Sequence, residues 1–145
     1  MSKIVVAVDF SDVTPALLNT ARRIARQGQD ALYLLHVEAP DPDFVGYNPG
    51  PQHVRDNMAR SIQGHHALAL QLRDDLLAEG FEAHCLLIQG VTHEKILEEA
   101  ARLDAAFIVL GRHGHGALYH LLMGSVSEAV LRLAKQPVIL VPNCA

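Results

Sequence analysis

Residues 110–128 read LGRHGHGALYHLLMGSVSE. This stretch follows a short apolar run, Ala105 to Leu110, with the character of a buried strand, and it leads into Ser125–Ala134, which has the character of a helix. Between them stand Gly111, Gly114, Gly116 and Gly124. Glycine permits positive φ and lets backbone N–H groups come close to a ligand. Taken singly, each of these glycines reads as a structural punctuator. Four in one strand-to-helix connection exceed what a turn needs. Ser125 and Glu128 have the serine-x-x-glutamate spacing of a capping box, so a helix start is expected at Ser125. Such a start offers free N–H donors and the positive end of the helix dipole, which together suit a phosphate. The spacing is neither a Walker loop, since GK[ST] is missing, nor the dinucleotide fingerprint.

Outward from that stretch, apolar runs alternate with helical patterns. Ile4–Val8, Ala31–Val37, Phe81–Gln89, Ala105–Leu110 and Val138–Val141 read as strands, rich in β-branched residues and mostly without alternation. Runs of that kind are expected of strands covered on both faces. Phe81–Gln89 differs: Glu82 and His84 alternate with Ala83 and Cys85, as on an edge strand with one wetter face. Thr14-Pro15 reads as an N-cap with a first-turn proline, and Leu17, Leu18, Ala21, Ile24 and Ala25 recur at helical spacing until Gly28. A longer helix is expected from about Val54 to Glu79, with Gly64 marking a bend. Thr92 is placed to cap a helix carrying Ile96, Leu97, Ala100, Ala101 and Leu103. Ala39–Gln52 holds four prolines and two glycines and reads as an irregular, functional or mobile connection.

Five strands alternating with four helices predict an α/β fold: one doubly wound domain over residues 1–145, a parallel sheet with helices on both faces. Ligands in such sheets bind beyond the carboxyl ends of the strands, where the strand order reverses. Asp9, Val37 and Gly111 all stand at such ends.

Composition bounds the function classes. Half of the 145 residues are apolar, 19% are charged and the net charge is −4, ordinary for a soluble globular domain. No basic face is evident, which argues against a nucleic-acid partner. No apolar run approaches the roughly 20 residues of a membrane span, and Ile4–Val8 is too short for a signal-peptide core. With Cys85 and Cys144 alone, a disulfide framework is not expected. A cytoplasmic location follows as the expectation.

Gly111, two residues, Gly114, nine residues, then Gly124-Ser125 resembles the G-x2-G-x9-G-[ST] motif of universal stress proteins, in the branch of that family that binds ATP. The VAVDFSD opening, the LLHV second strand and the PVILVP ending extend the resemblance over the whole chain. It implies the strand order 3-2-1-4-5 and a small regulatory protein of the stress response. ATP is the implied ligand, with Mg²⁺ accompanying the triphosphate. Asp9 is then expected to contact the adenosine part, and the backbone of Val37 the adenine edge. Ser125, Ser127 and the N–H of Val126 are expected on phosphates or ribose. The nucleotide set is completed by Ala7, Gly111, Arg112, His113, Gly114, His115, Gly116 and Gly124. Arg112 suits phosphate oxygens, and His113 suits a donor whose charge varies near neutral pH. The resemblance also implies a homodimer through the last strand, which would otherwise leave an apolar edge exposed. An unnamed regulatory partner belongs to the same reading.

Two other readings stay open: a slow ATPase or nucleotidyl transferase of related fold, and a nucleotide-free interaction module. Catalysis has little support, because G-x-S-x-G, CxxC and H-E-x-x-H are all missing and no catalytic residue stands out. The nine histidines raise a metal question. His65 and His66 are adjacent on a helix and point apart, and no zinc-site spacing appears, so no metal site built by the protein alone is expected.

Overall fold

The computed structural model describes residues 1–38, 52–112 and 124–142, with the helical course alone for 52–63. The elements are β1 (Ser2–Ala7), α1 (Thr14–Ile24), β2 (Asp30–Glu38), α2 (Gln52–Ala78), β3 (Glu82–Gln89), α3 (Thr92–Arg102), β4 (Phe107–Arg112), α4 (Ser125–Leu133) and β5 (Val138–Pro142). All pairings are parallel and the sheet order is β3-β2-β1-β4-β5, as expected. The chain reverses direction across the sheet between β1 and β4.

Side chains alternate along each strand, so the sheet divides the interior into two compartments. Ile4, Val6, Leu32, Leu34, Ala83, Val109 and Val141 pack with Leu17, Leu18 and Ala21 of α1 and Leu76 of α2. Val5, Leu35, Ile108 and Leu110 face the other way, onto Ile96 and Ala100 of α3 and Val130 of α4. Most of these residues are under 5% exposed, and burying each such side chain contributes about 1.5–3 kcal/mol.

Several local expectations are corrected. β4 begins and ends two residues later than the apolar run, so Gly111 and Arg112 belong to the strand, paired with Val141 and Pro142 of β5. The last apolar position therefore does not mark the strand end. Ser125 is not a cap: Gly124 holds the N-cap position with φ −60° and ψ 151°, no side chain caps the helix, and the Glu128 N–H donates to the Gly124 carbonyl. The capping box is not formed. Thr14 and Thr92 are likewise first helical residues, behind Val13 and Val91, and neither helix has a side-chain cap. The Thr14 hydroxyl is buried without a hydrogen-bond partner among the described residues. α2 starts at Gln52 and runs uninterrupted through Gly64. The proline-rich connection falls almost wholly on 39–51, outside the described residues.

Candidate functional site

β1 ends at Ala7, but the Val8 N–H still donates to the Leu35 carbonyl at 2.8 Å, so the chain leaves the sheet only at Asp9. There the Asp9 carboxylate accepts the Ser11 N–H at 3.0 Å, and the Thr14 N–H donates to the Ser11 carbonyl at 3.0 Å. These bonds turn the chain over the end of the sheet and into α1. Phe10, between them, has φ 61°, a left-handed conformation that a bulky residue holds only under constraint.

At this end of the sheet, on the α3/α4 side, lies a cleft of about 250 Å³. Ala7, Asp9, Val37, Gly111, Val126 and Ser127 line it, all of them residues the sequence nominates. Gly124 and Ser125 open α4, directly before Val126 and Ser127 of that lining. The Ser127 hydroxyl, in a buried residue, donates to the Gly111 carbonyl at 3.4 Å and ties α4 to β4. Arg112, the last residue of β4, is half-buried and is not part of the lining. His113, Gly114, His115 and Gly116 lie outside the described residues.

Leu35, Leu110, Thr92 and Ile96 complete the wall together with Val8, and sequence reasoning did not nominate them. Leu35 and Leu110 looked like ordinary strand core, which they also are. Thr92 reads as a cap until the helix start is located one residue earlier. Only the packing of α3 over the sheet brings Thr92 and Ile96 to the cleft.

The two glycines of this region that the structure describes do different work. A β-carbon on Gly111 would stand 2.5 Å from Val13 Cγ1, so glycine is needed there for packing against the start of α1. A β-carbon on Gly124 would meet no described protein atom within 4 Å, and its φ of −60° suits any residue. The free N–H groups of α4 begin beside that open position. Burial pushes the Cys85 thiol up, against a smaller opposing effect of Arg73, and a raised thiol is a poor nucleophile. Among the described residues no helix is long and apolar enough to cross a membrane.

The relatives agree with this architecture. "Universal stress protein YxiE" of Bacillus subtilis is 30% identical over 97% of this chain and 98% of its own length. The solved structure of MJ0577, a protein of Methanocaldococcus jannaschii, superposes with a TM-score of 0.77 at 23% identity, covering 97% of this chain and 95% of that one. A universal stress protein solved in complex with cAMP superposes at 0.71 with 22% identity over 98% and 97%. An Arabidopsis thaliana member solved with AMP bound does so at 0.67 with 21% identity over 100% and 94%. The model of the universal stress protein family matches residues 1–142, and with the strand order and the switch-point cleft in hand, the chain belongs to that family.

Proposed function

We propose that this chain is an ATP-binding regulator of the stress response, holding the nucleotide in the cleft between β1, β4 and the start of α4. Gly124 is the observation that carries the reading. Neither its backbone conformation nor any described neighbour demands glycine, whereas a ligand lying against the N–H groups of α4 would. The cleft is just below the usual size of small-molecule sites, about 300–1,000 Å³. It suits the adenosine part, with Asp9 and Val37 at one end, and the phosphates then extend along α4 toward Ser125 and Ser127. The solved relatives with AMP and cAMP support an adenine nucleotide as the ligand class. Mg²⁺ accompanies the triphosphate, the location is the cytoplasm, and two copies pair through β5.

Titration calorimetry with Mg-ATP tests the reading. Binding is expected in wild type, and Asp9→Ala weakens adenosine and ATP alike because its contact is away from the phosphates. No heat of binding at millimolar Mg-ATP would overturn it.

A further inference from the structure

The second site lies on the opposite face of the sheet and does not depend on the nucleotide reading. His36 and Glu38 are two apart on β2, so they share one face. His65, on α2, is folded over them. His36 Nε2 is 2.9 Å from Glu38 Oε1, and His65 Nδ1 is 2.6 Å from the same oxygen. One donor atom from each of the three residues falls within 4.8 Å of the others. His36 Nδ1 faces the Val8 carbonyl at 2.7 Å. Phe10, held in its left-handed conformation, stacks on the His65 ring at 5.1 Å and lies against the His36 ring at 4.7 Å.

Both ring nitrogens of His36 therefore point at oxygen acceptors, and its side chain is only 8% exposed. A neutral imidazole carries one N–H. With that proton on Nδ1, bonded to Val8, Nε2 turns a lone pair toward the Glu38 carboxylate. A cation between them removes the conflict. The Nδ1–H to carbonyl bond is the outer contact that metal-ligating histidines ordinarily make, fixing the tautomer and the ring orientation.

We infer that His36 Nε2, Glu38 Oε1 and His65 Nδ1 form a binding site for a divalent transition-metal ion of the Zn²⁺ class. Two imidazoles and a carboxylate suit Zn²⁺, Co²⁺ or Ni²⁺ rather than Mg²⁺ or Ca²⁺. With metal–ligand bonds of about 2.0–2.1 Å, tetrahedral donors stand ~3.3 Å apart; each nitrogen then moves outward from Glu38 Oε1 by roughly half an ångström, while the two nitrogens, within 4.8 Å of each other, adjust by side-chain rotation. The remaining coordination position opens on a recess of about 120 Å³ walled by His66, Leu87, Ile88 and Gln89, where water or a small ligand would sit.

Untagged, chelator-treated protein titrated with Co²⁺ provides the test. Equimolar Co²⁺ should give the visible bands of a low-coordinate site, and Zn²⁺ should displace them. Loss of an outer contact alone lowers metal affinity about 10–100-fold, so His65→Ala and Glu38→Gln should each lose at least that much. His65 is half-exposed, which keeps this variant informative even if the buried His36→Ala fails to fold. His84→Ala and His93→Ala, away from the cluster, should bind as wild type does. Three results would each overturn the inference: no visible bands, bands that persist in His65→Ala, or bands lost in His84→Ala.

Discussion

Gly111 and Gly124 belong to one sequence motif, yet their substitutions should act in opposite directions. Gly111→Ala drives a methyl group into Val13, which is 1% exposed and stiff at χ1. A loss of about 1–3 kcal/mol is expected in urea denaturation. Because the two residues share the clash, the double variant with Val13→Ala should lose less than the sum of the single losses. Gly124→Asp instead gives α4 the side-chain cap it lacks and a carboxylate at its positive end, for a gain of about 1 kcal/mol. The same carboxylate repels a phosphate, so the nucleotide heat should vanish from a protein that has become more stable. A stabilised variant that still binds Mg-ATP normally would remove the phosphates from α4. Asp30 provides a pH signature. It is buried, and hydrogen bonds from the Arg26 side chain and Arg26 N–H hold its carboxyl below the ordinary range against desolvation. A folded-state value below the unfolded one contributes stability above the unfolded value and loses it as pH falls through the folded one. Asp30→Asn should therefore be less stable than wild type at neutral pH, with the two converging in acid.

At the scale of elements, strands and the neighbourhood of each helix start were legible, and the capping residues were not. Runs such as Ile4–Val8 announce burial on both faces, and parallel strands leave few alternatives. A serine at the first helical position has the same neighbours in sequence as a serine at the cap, so Ser125-x-x-Glu128 looked like a capping box one residue out of register. Only the backbone of Gly124 separates the two. That correction sharpens a test: Ser125→Ala removes no cap and should change stability by less than about 0.5 kcal/mol, while weakening Mg-ATP if its hydroxyl meets phosphate. The histidine cluster was illegible for another reason. His36-Val37-Glu38 on a strand does announce a histidine and a carboxylate on one face. Nothing local announces that His65, on a helix far along the chain, will close over them. Metal-site spacing rules describe ligands on a shared turn or hairpin, and this cluster is assembled by packing.

Taken whole, the described residues form a single sheet with a cleft on one face and the histidine–glutamate cluster on the other. β5 pairs with β4 on one side only, and no other described strand lies along its outer edge. An apolar edge of that kind is covered in most native proteins, so light scattering at micromolar concentration should return twice the chain mass. A monomer would refute pairing through β5. Nucleotide should raise the melting temperature by mass action. At a hundredfold excess over Kd the gain is about 2.7 kcal/mol, roughly 5–10 °C for a domain of this length.

β2 serves both faces with consecutive residues: Leu35 and Val37 line the cleft, while His36 and Glu38 join His65 on the other side. Insertions and deletions therefore meet an unusual constraint in this strand. Loss of one residue anywhere between Asp30 and Leu35 turns Val37 toward Phe10 and sends His36 and Glu38 into the switch-point cleft, exchanging the chemistry of the two faces in a single step. Loss of two restores the faces but draws both sites about 7 Å along the strand, away from β1 and α2. A one-residue deletion within β2 should therefore cost both the cleft and the cluster, whereas the same loss in a connection should spare them.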